Sequence, residues 1–135
     1  MYIVDTNVIS DVHRGLRLPQ LWLASVPSHT VHFSVVTLSE IRKGVIMLEH
    51  SNHPKAMIYA QWLDGIREEF RGKFLPVSEA VAMESGRIAA IRTRDVHDCQ
   101  IAATAIVHGL AVVTRNVADF ADLPVAVINP WANTV

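Results

Sequence analysis

Cysteine is nearly absent: Cys99 is the only one in 135 residues. An internal disulfide is thereby excluded, and a reducing compartment is the expected setting. Long apolar runs are missing too. The most apolar stretch, IAATAIVHGLAVV, is interrupted by His108 and Gly109. It falls short of the roughly 18 consecutive apolar residues that a membrane helix needs. No basic segment leads into an apolar run and a cleavage site at the amino end, so we expect a cytoplasmic protein with no membrane association. Excess charge of one sign is absent as well. A formal net charge of −1 argues against a strongly basic nucleic-acid binder, so any such binding must come from a local patch. Aromatic residues make up only 7%, which leaves little for base stacking; Trp22, Trp62 and Phe70 read as core or interface. Neither G-x-x-x-x-G-K-[ST] nor G-x-G-x-x-G occurs, which disfavours a nucleotide-binding domain. The seven histidines are scattered, with no His-x-x-x-His or Cys/His cluster, which disfavours zinc.

What is present is a globular composition, with 50% hydrophobic and 19% charged residues. The length suits one domain over residues 1–135 with a sizeable core. Tyr2-Ile3-Val4 reads as a short buried strand. Pro19 suits the first turn of a helix through LPQLWLASV, and Pro27 ends it. Val31 to Val36 reads as a second strand. Thr37-Leu38-Ser39-Glu40 has capping-box spacing and predicts a helix to about His50. Pro54 opens another, whose apolar stripe is Ile58, Trp62, Ile66 and Phe70, with Leu63 beside it. Phe74 to Val77 is a short strand whose Pro76 suits a sheet edge. Ser78 caps a helix through Arg92, and a further helix runs from about Asp98 to Val107, stopped by Gly109. Leu110 to Val113, a short helix from Asn116 to Asp122, and a strand from Val125 to Ile128 complete the chain.

Strands separated by helices require crossover connections and hence a mainly parallel sheet. Continuous apolar strands imply helices on both faces. The expected fold is therefore a three-layer α/β/α domain, with ligands binding at the carboxyl edge of the sheet near the switch in strand order. Several acids and amides follow strands. Asp5 ends the first, Glu40 lies just past the second, and Asn116 and Asp119 follow Leu110–Val113. Asp98 does not directly follow a strand; the preceding helix would have to return it to that edge.

Each acid also has a purely structural account. Asp5 or Asn7 can cap a helix, Glu40 can close a capping box with Thr37, and Asp98 and Asp119 can answer a helix dipole. Taken together they are harder to explain that way. Converging carboxylates repel and resist ionising unless a cation sits among them. Hard oxygen donors suit Mg²⁺ or Mn²⁺. His97 adjoins Asp98 and either faces the site or is a surface histidine, the latter being the preferred reading.

The segments YIVDTNVISD, SVVTLSEIRKG, DCQIAATA, VVTRNVADF and INPW, in this order and spacing, resemble PIN-domain ribonucleases of the VapC type, near the FitB-like branch. The resemblance spans essentially the whole chain. It implies a PIN-like fold and a metal-dependent endoribonuclease that is the toxin of a toxin–antitoxin pair. It implies Asp5, Glu40, Asp98 and Asp119 as the acidic quartet holding Mg²⁺ or Mn²⁺, with Asn7, Thr114 and Asn116 as polar supports; Thr6 is expected to support the site by shaping the turn after the first strand. Whether Asp119 or Asn116 completes the set is open, because the fourth acid varies in the family. A bound divalent ion would orient and deprotonate water and neutralise charge on the phosphodiester. Arg14, Arg17, Arg42, Lys43, Arg92, Arg94 and Arg115 flank these segments and are candidates to grip RNA phosphates. Implied partners are RNA, a small antitoxin and a second copy of the chain as a homodimer.

Two other enzyme or signalling classes place acids similarly. A haloacid-dehalogenase-type phosphatase needs an aspartate two residues after its nucleophile, where this chain has Asn7. A receiver domain needs an acidic pair at the first strand, which VDTN lacks. A catalytically silent PIN-like binding module is the main non-enzyme alternative, and the retained acids argue against it.

Overall fold

In the computed structural model, which describes residues 1–132, five strands form one sheet, and the four pairings between them are all parallel. The strands are β1 (Tyr2–Val4), β2 (Val31–Ser34), β3 (Phe74–Leu75), β4 (Ala111–Val113) and β5 (Val127–Ile128). Their order is β3-β2-β1-β4-β5, so the chain grows outward from β1 to one edge and then restarts beside β1 with β4. The switch in strand order lies between β1 and β4. The helices are α1 (Thr6–His13), α2 (Arg17–Ala24), α3 (Val35–His50), α4 (Ala56–Glu69), α5 (Glu79–Ala89) and α6 (Val96–His108).

Alternation along the short strands sends side chains to opposite faces of the sheet. Ile3 and Val112 join a core with Val81 and Ile88 of α5 and Ile101, Ala102 and Ala105 of α6. Val4, Val113, Val31 and Phe33 join a second core with Val8 of α1, Ile41 and Val45 of α3, and Leu63 and Ile66 of α4. Every strand residue in these sets is essentially solvent-free. This is the α/β/α layering expected from the apolar strands. Phe33 anchors the second core, meeting the ring of Phe70 edge-on at 4.9 Å between centroids.

Several boundaries differ from the sequence expectation. The strand expected through Val36 stops at Ser34, because Ser34 caps α3 by accepting from the Val36 N–H at 3.1 Å. Thr37 and Glu40 therefore lie within the helix and form no capping box. α6 begins two residues before Asp98, capped by Asp95, whose Oδ1 accepts from the His97 N–H at 2.9 Å. α5 ends at Ala89 and not at Arg92, and the expected helix at 116–122 is a single 3₁₀ turn, Val117–Asp119. In α4, Ile58 is exposed, and Leu63 with Ile66 and Phe70 forms the buried stripe instead. A helix begins at Thr6 immediately after Asp5. The edge position of β3, the Ser78 cap and the Gly109 stop agree with expectation; Gly109 has φ +67°, the left-handed turn that ends helices. No helix among the described residues is long and apolar enough to cross a membrane.

Candidate functional site

The register of β1 against β4 sets up the site. Tyr2, Ile3 and Val4 pair with Ala111, Val112 and Val113. One residue further on, the Asp5 N–H still reaches the Val113 carbonyl at 2.9 Å. Asp5 and Thr114 thus leave the sheet side by side, at the switch point. The Thr114 hydroxyl donates to Asp5 Oδ2 at 2.8 Å, and the Asn7 amide reaches the same oxygen at 3.3 Å. Asp5 occupies the N-cap position of α1 yet makes no side-chain cap bond, so capping does not account for it. Asp5 as a whole is 5% exposed.

Glu40 arrives from the second turn of α3. Its Oε1 accepts from Thr6 Oγ1 at 3.0 Å. The Thr6 hydroxyl, its proton committed to Glu40, also meets Thr37 Oγ1 at 2.9 Å. Thr6 thus ties the start of α1 to α3. Asp98 comes from the first turn of α6, on the other core's side of the sheet, as the return of that helix to the carboxyl edge requires. Asp5, Asn7, Glu40, Asp98 and Asn116 line one cavity of about 580 Å³, together with Lys43, Asp95 and His97. Asp119 is not in its wall.

The electrostatics are strained in one direction. Burial pushes the Asp5 carboxyl above its ordinary 3.8; the Thr114 bond opposes this, while Glu40 and Asp119 add to it. Asp98 is pushed up to about 7, first by burial and then by the charges of Asp5, Asp119, Asp95 and Glu40. These acids interact, and a cation among them would favour their ionised forms. Asp119 acts on both at a distance although it does not line the cavity.

The donor chemistry fits a hard divalent cation. The wall offers carboxylate and amide oxygens, with His97 as its only imidazole and no thiol. Among the described residues no group of three or more His, Cys, Asp or Glu side chains already stands in an arrangement that could hold a metal ion. Repulsion among uncompensated carboxylates works against such closure, and Glu40 and Asp98 are both partly exposed.

The basic residues sort into two sets. Lys43 lines the cavity, and Arg42 and Arg17 are exposed. Arg94 is buried, with its side chain 1% exposed; it donates to the carbonyls of Asp119 and Ile88 and to Asp122. Arg92 donates to Asp122 and to the Ala118 carbonyl. These two arginines brace the 3₁₀ turn and are not aimed at the cavity. Arg14 and Arg115 both pair with Asp11, at 2.5 and 2.7 Å.

Sequence reading missed Asp95, Thr37 and Asp11, and preferred the surface for His97 over the site-facing alternative. In the structure His97 is in the cavity wall, with Nδ1 3.4 Å from Glu40 Oε1. The signal for Asp11 was its spacing of four from Asn7, which places both on one face of a helix.

A parallel sheet with a buried acid at its switch point, and further acids delivered by helices from both faces, defines an acid-site α/β domain. The chain belongs to the PIN-domain family, whose model matches residues 2–125. Within it, the chain is 35% identical to the toxin FitB of Neisseria gonorrhoeae, over 97% of this chain and 99% of that one. It is 28% identical to the VapC ribonuclease Y4jK of Sinorhizobium fredii, over 97% and 98% of the two chains. The crystal structure of FitAcB from Neisseria gonorrhoeae superposes with a TM-score of 0.87 at 36% identity, covering 97% of this chain and 99% of that one.

Proposed function

We propose that the protein is a divalent-metal-dependent endoribonuclease and the toxin of a toxin–antitoxin pair. The observation that carries this reading is the meeting of Asp5, Glu40 and Asp98 in one cavity, with two of the three carboxyls pushed upward by burial and by one another. Names of relatives support it: one is a toxin and another a ribonuclease. PIN-domain ribonucleases of the VapC type generally depend on a divalent metal, and the donors here suit Mg²⁺ or Mn²⁺.

Asp5, Asp98 and Glu40 would hold the ion, with Asn116 as a further oxygen donor in the cavity wall and Asp119 acting from outside it. When bound, it supplies positive charge that acidifies water and offsets charge building on the phosphodiester. The chain's own residues do the rest. Thr114 and Asn7 hold the Asp5 carboxylate in one orientation. Thr6 holds Glu40, which is left to orient the attacking water or take its proton. Lys43, in the cavity wall, would grip a neighbouring phosphate.

A cavity of about 790 Å³ adjoins the acid cavity and shares Thr6, Ser10, Glu40, Gly44 and Met47 with it. Ile41, Leu48, Tyr59 and Trp62 make it apolar. It suits a segment of the antitoxin, from which a basic side chain would compete with the metal. The exposed Met57 and Ile58 of α4 and Met83 of α5 suit contacts with the antitoxin or with a second copy of the chain.

Incubation of purified protein with single-stranded RNA tests the reading. Cleavage is expected with Mg²⁺ or Mn²⁺, abolished by EDTA and by Asp5→Asn, with an unchanged circular dichroism spectrum. Cleavage that survives EDTA or Asp5→Asn overturns the proposed site. RNA that is bound but never cut in any metal favours the silent binding module.

A further inference from the structure

Asp11 is one of two buried carboxylates in the described chain, and the proposed chemistry uses only the other, Asp5. It lies one turn after Asn7 on α1, on the same face. Its Oδ2 accepts from Arg115 Nη1 at 2.7 Å, and its Oδ1 accepts from Arg14 at 2.5 Å. Arg115 is held at a second point, since its backbone N–H reaches Asn7 Oδ1 at 3.5 Å. A third contact is Trp131, whose ring centre lies 5.5 Å from the guanidinium carbon. Two residues one helical turn apart thus clamp Arg115 at its backbone and at its side chain, with an indole against the guanidinium.

Arg115 sits between the two polar groups that reach the site. Before it, Thr114 donates to Asp5 Oδ2. After it, the Asn116 N–H donates to Thr114 Oγ1 at 3.0 Å, closing the turn on the same hydroxyl. Asn116 then lines the acid cavity.

We propose that Asp11 is a positioning residue for the acid site: by holding Arg115 against Trp131 it fixes the Thr114–Asn116 turn, and with it the orientation of Asp5. This rests on the proposed metal site. It assigns Arg115 to the scaffold and not to the phosphate-binding set that its place in the sequence suggests. Burial makes the clamp a strong constraint, because a carboxylate removed from water is stabilised only while its cationic partners stay in place. Groups that orient a ligand residue from behind typically change metal affinity or activity about 10- to 100-fold when removed.

The test compares Asp11→Asn, Arg115→Gln and the double variant, with Glu68→Gln of the exposed Glu68–Arg71 pair as a control. Arg115 is about half exposed, so its variant keeps the fold even if Asp11→Asn loses it. The readouts are Mn²⁺ affinity by isothermal titration calorimetry and, separately, kcat and KM on single-stranded RNA. We expect each single variant to weaken Mn²⁺ about 10- to 100-fold and to lower kcat while leaving KM for RNA unchanged. The double variant should be no worse than the poorer single, and Glu68→Gln should match wild type. Unchanged Mn²⁺ affinity in Arg115→Gln overturns the proposal. A raised KM with unchanged Mn²⁺ affinity does so in favour of a phosphate contact, and strictly additive losses do so as well. If the wild type binds Mn²⁺ but cuts no RNA, the nuclease reading fails while the calorimetry still decides the role of Asp11.

Discussion

Replacing Asp98 by asparagine should make the metal-free protein more stable at alkaline pH. The Asp98 carboxyl is pushed from 3.8 to about 7 in the folded chain, by burial first and then by Asp5, Asp119, Asp95 and Glu40. A folded-state value above the unfolded one means that the native state binds the proton more tightly. The favourable contribution is complete below about pH 4 and is lost as pH rises through 7. Without screening the displacement corresponds to about 4 kcal/mol. Asp98 is only half-buried, and solvent screening reduces this to about 1–2 kcal/mol. Asparagine keeps the shape and removes the charge, so the gain should be near zero at pH 4 and about 1–2 kcal/mol at pH 8, or a few degrees in Tm. Urea unfolding in EDTA at several pH values measures it, with the m-value checking that the denatured state is unchanged. Saturating Mn²⁺ should reverse the order, because the wild type gains binding free energy that the variant lacks. Equal pH slopes for the two proteins, or a variant less stable than wild type at pH 8 without metal, would refute the electrostatic reasoning.

Other consequences follow from single contacts. Thr114→Val leaves the buried Asp5 carboxylate without its shortest hydrogen bond; it should destabilise the protein by about 1–3 kcal/mol in urea unfolding and weaken Mn²⁺ in calorimetry. Arg94→Leu removes a buried guanidinium that serves two carbonyls and Asp122, and should cost about 2–4 kcal/mol with faster hydrogen exchange in the 117–123 segment. Gly109→Ala meets no steric obstacle but must adopt φ +67°, so a loss of about 1 kcal/mol is expected by thermal unfolding. Thr6→Val frees Glu40 and strips the bond to Thr37; kcat on RNA should fall about 10- to 100-fold with the fold intact by circular dichroism.

Much of the fold was legible because periodicity and punctuation are local. Tyr2–Val4 and Ala111–Val113 are apolar enough to mark inner strands, Pro76 to mark an edge, and Ser78 and Gly109 to mark helix ends. The α3 start was misplaced because two serines and a threonine near Val35 can all cap, and only the backbone path selects Ser34. The candidate acids were visible as strand-end residues, yet their partners were not. Thr6 bonds Glu40 across 34 positions, Thr114 bonds Asp5 across 109, and Arg115 bonds Asp11 across 104. No window of sequence contains such a pair.

The sequence by itself determined the alternation of strands and helices, the parallel sheet, and the presence of acids where strands run out. These follow from side-chain period and backbone preference, which act over a few residues. Tertiary structure alone decided which acids meet, that Asn116 and not Asp119 lines the cavity, and that Arg92, Arg94 and Arg115 pair with carboxylates. Those outcomes depend on the β1–β4 register and on where α3 and α6 pack. Both are set by burying two cores at once, a condition that exists only when the whole chain has closed.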